Sequence, residues 1–226
     1  MNLKSLTRAE FLGYSLLLFV YGIGVYFANT NVDFFDTSIA QEDGLAEYGT
    51  ALMLFCISVL SISRLIKIGS SKSLLWKVGI IGMALIFLFG AGEEISWGQR
   101  LFDIESSEYF LENNAQKETN LHNLVVGDTK INKLIFSQIL TAILVIYLLV
   151  LPILYRRTKW VKKLTTLFAV PVPKWNHTIA FLLATGLLEF MKNSSRRWEL
   201  YELAFGVIFL LIFINPLNSY IFRKDS

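Results

Sequence analysis

The protein has 226 residues, of which 54% are hydrophobic and 14% aromatic, and its formal net charge is +3. The hydrophobic residues come in long uncharged blocks, which is typical of a multi-pass membrane protein and excludes an ordinary soluble domain. The single cysteine, Cys56, excludes an intrachain disulfide and any redox chemistry that needs a resolving cysteine.

Six apolar stretches approach the roughly 20 residues that a helix needs to cross the hydrocarbon layer of a membrane. Backbone groups in lipid must satisfy one another, so each stretch is predicted to be a helix. We therefore predict an all-α transmembrane bundle that forms one integral membrane domain over residues 1–226. The predicted spans are residues 11–27, 45–62, 74–92, 134–155, 177–190 and 200–222.

The charges predict the orientation of the bundle. Fourteen of the 21 lysines and arginines lie in the two termini and in the second and fourth loops, whereas sixteen of the 18 acidic residues lie on the opposite side. The positive-inside rule therefore predicts that both termini are cytoplasmic. The basic residues are placed to anchor helices against anionic headgroups, so we expect membrane lipid as a partner and no nucleic acid.

The longest polar segment, at about residues 93–133, lies between the third and fourth predicted spans on the outer face. Free coil of that length is uncommon, so the segment is expected to form short helices at the interface or to re-enter the protein.

Carboxylates are predicted to lie below the membrane surface. If Lys77 reaches the inner interface, Glu93 lies sixteen residues later, which is about 24 Å across a layer of about 30 Å. The same count brings Glu47 and Glu189 to a similar depth, with Glu202 nearer the outer boundary. An ionised group facing lipid costs about 3 kcal/mol or more, so these carboxylates should line one polar cavity that opens to the outside.

Glu93 and Glu94 are adjacent, and adjacent residues of a helix point about 100° apart. One of the two carboxylates is therefore expected to face the cavity, while the other pairs locally or meets the headgroups.

The motif ETNLHN places Glu118 and His122 four residues apart, which on a helix puts both side chains on one face. A carboxylate uses this spacing to orient an imidazole, and the two groups together can bind a metal ion. A purely structural salt link or hydrogen bond is the alternative.

Three arginines on the outer side, Arg100, Arg196 and Arg197, are candidates for holding an anionic headgroup, because a guanidinium binds phosphate or carboxylate with two hydrogen bonds. They can equally neutralise the nearby acids. Trp97 and Gln99 are further candidates for binding a substrate, although Trp97 also fits the outer aromatic belt.

A divalent cation is the cofactor that these residue types suggest. Candidate ligands are Glu47, Glu93, Glu94 and His122, and oxygen ligands favour magnesium, calcium or manganese. Glu118 and His122 with further carboxylates would also suit zinc or a di-iron site. No nucleophile elbow, phosphate-binding glycine loop or HExxH motif occurs in the sequence.

Four motifs carry a resemblance to a known group of proteins: EDGLAEYGTALMLF, AGEEISWGQRLF, NNAQKETNLHNL and WELYELAFG, in this order over residues 42–206. The chain resembles a group of bacterial multi-pass inner-membrane proteins of unknown function. The resemblance implies the bacterial inner membrane and adds no reaction. The paired glutamates are also similar to those of the CAAX-type intramembrane proteases, but Arg100 comes two positions too late for that motif. Alkaline-ceramidase-like hydrolases need three histidines, and this chain has two.

Three functions remain open. In the leading hypothesis the protein is an enzyme that acts on a lipid or lipid-linked substrate. Glu47 with Glu93 or Glu94 would bind a cation or act as general base, and His122, oriented by Glu118, would shuttle a proton. The alternatives are a proton- or cation-coupled transporter that uses the same acids, and a non-catalytic scaffold subunit.

Overall fold

The computed structural model describes residues 6–41, 44–99, 102–121, 124–126, 129–130 and 139–224. Helices dominate this part of the chain, and its only strands form the two-residue antiparallel pair β1 and β2. The helices are α1 (Arg8–Thr30), α2 (Val32–Phe34), α3 (Leu45–Ile68), α4 (Leu74–Glu94), α5 (Glu108–Asn113), α6 (Leu140–Val145), α7 (Leu151–Arg157), α8 (Lys159–Leu167), α9 (Trp175–Leu187) and α10 (Arg197–Ile214); β1 is Val125–Val126 and β2 is Thr129–Lys130.

Three described helices are long and apolar enough to cross a membrane. They are α1, α3 with its short 3-10 extension to Ser71, and α4, and they contain the first three predicted spans. These predictions succeed because each helix carries few charges over at least 18 residues.

A fourth candidate span is bent. Residues 141–157 and α8 meet the same criteria of length and composition only as a pair, and their axes differ by 118°. The predicted span 134–155 begins in residues that lie outside the described part of the chain. Within the described part, a π-helical stretch, Ile146–Val150, joins α6 to α7.

The fifth and sixth predicted spans differ from the helices that form. The α9 helix has only 13 residues before a 3-10 turn at Leu188–Met191, which is about 20 Å of helix. The α10 helix has 18 residues but starts with three charged side chains among its first six residues. It ends at Ile214 rather than near residue 222, because Pro216 disfavours helical backbone at the preceding residue.

The helices run antiparallel, so the bundle has two ends. We call the end that carries the start of α1 and α4 the lower end, and the end that carries the start of α3 and α10 the upper end. Most of the core lies around α10, whose residues from Leu200 to Phe213 are largely buried. Ser58 of α3 donates to the carbonyl of Ala84 at 2.8 Å and ties α3 to α4.

A buried polar cluster joins α1 to α9 at the lower end. The Glu10 carboxylate accepts hydrogen bonds from the backbone and hydroxyl of Thr7, from Asn176 at 2.9 Å and from His177 at 3.2 Å. The other ring nitrogen of His177 accepts from the backbone of Lys174, so the proton of a neutral ring lies on the nitrogen that faces Glu10. Glu10 and His177 are almost fully buried.

The chain after α8 lies directly against α4. A Cβ atom added at Gly79 would lie 1.9 Å from the carbonyl oxygen of Phe168, so only glycine allows this approach. Gly82, less than one turn later on α4, has no atom within 4 Å of the same position.

We therefore predict that Gly79→Ala lowers the free energy of unfolding by about 1–3 kcal/mol, because backbone must move to admit the methyl group. Gly82→Ala is the matched control and should be neutral or stabilising by up to about 1 kcal/mol, since alanine favours helix. Thermal unfolding of the purified variants in detergent measures the difference. Equal melting temperatures for the two variants would contradict the contact between α4 and Phe168.

Candidate functional site

Two glycines bring α3 and α10 together at the upper end. A Cβ atom added at Gly49 would lie 2.9 Å from Leu203, and one added at Gly206 would lie 3.1 Å from the Cβ of Met53. Small residues permit this close approach of membrane helices. As a result Glu47, near the start of α3, lies near Glu202, which is in the second turn of α10.

Four acidic side chains from three helices meet at this level. The Glu94 carboxyl, at the end of α4, lies within electrostatic range of Glu47, Glu199 and Glu202, and Glu202 lies within range of Glu47 and Glu199. We call these four residues the carboxylate group. Like charges repel at short range in a protein interior, so they cannot all stay ionised at low cost without a compensating cation or proton.

Two members of the carboxylate group are poorly satisfied. Within the part of the chain that the structure describes, neither Glu94 nor Glu202 makes a hydrogen bond or an ion pair. Both side chains are half-buried. Glu47 and Glu199, in contrast, each have a further interaction partner. A half-buried carboxylate without a protein partner can bind water or a cation, so these two carboxylates are candidates for binding something that the protein itself does not supply.

Glu93 lies in a different environment from Glu94, as the rotation of about 100° per residue predicts. Its carboxylate accepts a hydrogen bond from the backbone of Leu121 at 2.6 Å and another from the Trp97 indole at 2.9 Å. Glu93 is also buried. It therefore fastens the polar segment to the end of α4, while Glu94 faces α3 and α10.

The polar segment folds over the upper end through a buried hydrogen-bond network. Ser96 donates to Glu118, and Asn120 donates to Ser96 at 2.9 Å and to Glu118 at 3.1 Å. Ser96, Glu118 and Asn120 are all buried. We call this the outer polar network; its members are Ser96, Gln99, Ser106, Asn114, Glu118, Thr119 and Asn120.

Asn114 is the most connected residue of the outer polar network. Its amide nitrogen donates to the backbone and side-chain oxygens of Asn120, both at 2.9 Å. Its side-chain oxygen accepts from the backbone of Gln116 at 2.9 Å and of Glu118 at 3.2 Å. A side chain that captures backbone N–H groups in this way competes with helix formation.

The expectation that Glu118 lies on a helix with His122 is wrong for Glu118. The chain leaves α5 at Asn113, and residues 115–119 form turns and bends, with Lys117 at a φ of 60°. The competing hydrogen bonds of Asn114 are the physical reason. His122 lies outside the described residues.

The backbone that follows α4 is unusual. Ser96, Trp97 and Gly98 have consecutive φ values of 46°, 55° and 77°, a left-handed region that side chains other than glycine rarely adopt. Ser96 and Trp97 each cost on the order of 1 kcal/mol in this region, so surrounding contacts must hold this turn. The hydrogen bonds of Ser96 with Glu118 and Asn120, and of Trp97 with Glu93, supply them.

Trp97 and Gln99, the two candidates for substrate binding in this turn, both make internal hydrogen bonds. Gln99 donates to Ser106 at 2.6 Å and accepts from the backbone of Thr119 at 2.7 Å. Trp97 packs its ring edge-on against Phe89 and leaves half of its surface exposed. The side chain of Gln99 is thus occupied by internal hydrogen bonds, whereas the exposed face of the Trp97 ring can contact lipid or a ligand.

Two of the three arginine candidates, Arg196 and Arg197, lie at the start of α10. Arg196 borders a surface cavity of about 290 Å³ with Asp36, Thr37 and Gln41, and it has a further interaction partner. The Arg197 guanidinium lies over the Trp198 ring at 5.3 Å and donates to the Ser194 carbonyl at 3.4 Å. Arg100 lies outside the described residues.

One expectation about the acids needs correction. Glu189, which the count of residues placed level with Glu47, lies in the 3-10 turn after α9 and is exposed. The short α9 helix ends before this residue, so Glu189 does not join the carboxylate group. In addition, no three of the described His, Cys, Asp and Glu side chains lie close enough together to hold a metal ion.

Comparisons with known proteins do not assign this site. The chain matches no protein-family model, no curated protein and no solved structure. The site is therefore defined by its geometry.

Several residues of the upper end escaped prediction from the sequence. Glu202 was expected to line the cavity but was not named as a candidate ligand or base, and Glu199 was not named as one either. The buried amides Asn114 and Asn120 were not singled out. The density of amide and hydroxyl side chains over residues 96–120 was the available signal, since polar loop segments that become buried need such partners.

Proposed function

We propose that the protein is a bacterial inner-membrane protein that binds a divalent cation at the carboxylate group and acts on a lipid or lipid-linked substrate from the outer leaflet. We also propose six membrane spans with both termini in the cytoplasm. Two of these spans are α9, which is short, and α10, which carries charged side chains near its start. Lipid, rather than nucleic acid, is the proposed partner.

The observation that carries this proposal is the meeting of Glu47, Glu94 and Glu202 from three helices, with two of them lacking hydrogen bonds among the described residues. Evolution and folding both act against uncompensated like charges in a bundle, unless the charges bind something. Clusters of titratable groups with perturbed environments are typical of functional sites.

Carboxylate oxygens are the ligands that magnesium and calcium prefer, and magnesium commonly binds through one or two carboxylates while it keeps several waters. This coordination fits a site in which fewer than three acids lie within ligating distance of one another. In the proposed role, Glu94 and Glu202 hold the cation, and Glu47 or Glu199 accepts a proton.

The exposed ring of Trp97 and the cationic pair Arg196 and Arg197 flank the upper end, where a lipid headgroup would approach. An arginine can bind a phosphate with two hydrogen bonds. The outer polar network would then cover the site on its outer side and limit the access of water, while lipid enters from the membrane.

The test uses the full chain in nanodiscs made from bacterial lipids, incubated with magnesium, manganese or calcium and followed by mass spectrometry of the lipids. We expect at least one lipid species to be consumed with one of these cations, and the change to be lost in Glu94→Gln. Glu108→Gln, an exposed acid of α5, is the matched control and should behave as the native chain. No change in any lipid species would contradict the enzymatic function.

Transport of protons or cations is the second candidate, and one observation favours it. Buried polar groups extend along the inner side of α1 from Glu10 and His177 through Tyr14 to Tyr21, whose hydroxyl has no hydrogen bond among the described residues. Tyr21 lies near Tyr201, which precedes Glu202 in α10.

Proteoliposomes with an imposed pH gradient distinguish the two functions. Transport predicts proton flux that is lost in both Glu94→Gln and His177→Gln, because the path needs both ends of the bundle. The enzymatic function predicts lipid turnover without flux. If both assays are negative and Glu94→Gln has no effect in cells, the remaining possibility is a scaffold subunit.

A further inference from the structure

The α8 helix follows the bend after α7 at the lower end, and its nine residues divide into three faces. Val161 and Thr165, four residues apart, are buried against the protein. Trp160 and Leu164, also four residues apart, form a second face and are 62% and 44% exposed. Lys159, Lys162 and Lys163 form the third face, and all three are exposed.

An exposed tryptophan and leucine on one side, with lysines on the other, is typical of a helix that lies in the plane of the membrane interface. Three lysines in nine residues are incompatible with a helix that enters the hydrocarbon layer without partners. The bend of 118° between residues 141–157 and α8 turns the chain away from the direction of the span. The broken helix is therefore a span followed by a surface helix.

The charge around α8 has a single sign. Arg156 and Arg157 precede the helix, and Arg156 is held over the Trp175 ring at 4.5 Å. Lys162 lies 5.8 Å from the Tyr155 ring, which orients this lysine without neutralising it. Among the described residues, Glu10 is the acid at this end of the bundle, and its carboxylate is buried and bonded to Thr7, Asn176 and His177.

We infer that α8 binds the anionic phospholipids of the leaflet at the lower end of the bundle, with Trp160 and Leu164 inserted among the acyl chains and the three lysines against the phosphates. This site lies at the opposite end of the bundle from the carboxylate group and does not depend on the function proposed there. Phe168, directly after α8, contacts Gly79 of α4, so lipid binding by α8 is coupled to the packing of the bundle.

The experiment measures how phosphatidylglycerol and phosphatidylcholine, added separately to the purified full chain in detergent, raise its melting temperature. A ligand that binds the folded state stabilises it in proportion to its concentration and affinity, so the titration gives an apparent affinity. We expect phosphatidylglycerol to bind more tightly, and each lysine to contribute about fivefold, which is the equivalent of about 1 kcal/mol. Lys159→Gln/Lys162→Gln/Lys163→Gln should therefore lose on the order of a hundredfold in affinity.

Lys67→Gln/Lys77→Gln/Lys224→Gln is the matched control, because it removes the same charge from the same end of the bundle without changing α8. It should keep most of the preference for phosphatidylglycerol. Loss of the preference in both triple variants, or its absence in the native chain, would overturn the inference. If the α8 triple variant does not fold, the single changes Lys159→Gln and Lys163→Gln replace it, each with an expected loss of about fivefold.

Discussion

Asn114→Leu is expected to release the polar segment from the upper end, with a loss of local stability of at least about 3 kcal/mol. Leucine has a similar size but makes none of the four hydrogen bonds of Asn114. Each buried partner that is left without a bond costs about 1–3 kcal/mol. The backbone amide of Glu118 and the side chain of Asn120 are such partners, since both residues are buried.

Hydrogen exchange over residues 114–121 measures this effect directly, because the segment can open without unfolding the bundle. We expect exchange to be about a hundredfold faster than in the native chain, which corresponds to roughly 3 kcal/mol. Asn113→Leu is the matched control. The Asn113 side chain donates one exposed hydrogen bond to the Tyr109 carbonyl, so its loss should change exchange little. Equal exchange in the two variants would show that Asn114 does not hold the segment.

Glu94→Gln and Glu202→Gln are expected to stabilise the fold while they remove the proposed activity. Two like charges repel by about 4 kcal/mol at about 4 Å and an effective dielectric constant of 20, and by less at longer range. Glutamine removes this repulsion, and neither carboxylate has a hydrogen bond to lose among the described residues. Thermal unfolding should therefore show higher melting temperatures for both variants.

The stabilisation should increase with pH, because repulsion within the carboxylate group grows as more of its members ionise. The comparison needs melting temperatures from mildly acidic to mildly alkaline pH. Glu108→Gln is the control, since Glu108 is exposed in α5 and lies outside the carboxylate group. Lower melting temperatures for Glu94→Gln and Glu202→Gln would mean that each carboxylate has a stabilising partner, and the site would then be an ordinary structural cluster.

The expected destabilisation by Asn114→Leu and the expected stabilisation by Glu94→Gln and Glu202→Gln have a common basis. The outer polar network consists of groups that satisfy one another, so removing a member destabilises the protein. The carboxylate group consists of side chains that repel one another, so removing the charge of one member stabilises the protein. Functional sites often lower stability in this way, because their residues are arranged for a ligand rather than for the fold.

The long helices α1, α3 and α4 were predictable because membrane spans depend on length and hydrophobicity, which can be counted along the chain. The end of α10 was not placed correctly. The predicted span was extended to residue 222 because Leu217, Ile221 and Phe222 are apolar, but Pro216 prevents a continuous helix. A single residue with a backbone constraint decided where the helix ends.

The common level of Glu47 and the end of α4 was predictable, because helical rise converts residue number into height along a helix. The choice between Glu93 and Glu94 was not, since it depends on the rotation of α4 about its axis. That rotation is set by packing contacts with α3, such as the bond from Ser58 to the Ala84 carbonyl, which no local pattern encodes.

The polar segment was the least predictable part. Its conformation depends on bonds between residues far apart in sequence, such as Glu93 with Leu121 and Ser96 with Asn120. The cluster of Glu10 with His177 has the same character, although Thr7 and Glu10 have the spacing of a helix capping box, which is visible in the sequence.

Thermal unfolding of the purified chain with added manganese, magnesium or calcium tests most directly whether Glu94 and Glu202 form one cation site. A cation at a hundred times its dissociation constant should stabilise the native chain by about 2.7 kcal/mol. The same cation should have little effect on Glu94→Gln and Glu202→Gln, while Glu108→Gln should respond as the native chain does. A native chain whose melting temperature no divalent cation changes, or variants that respond as strongly as the native chain, would contradict a shared cation site.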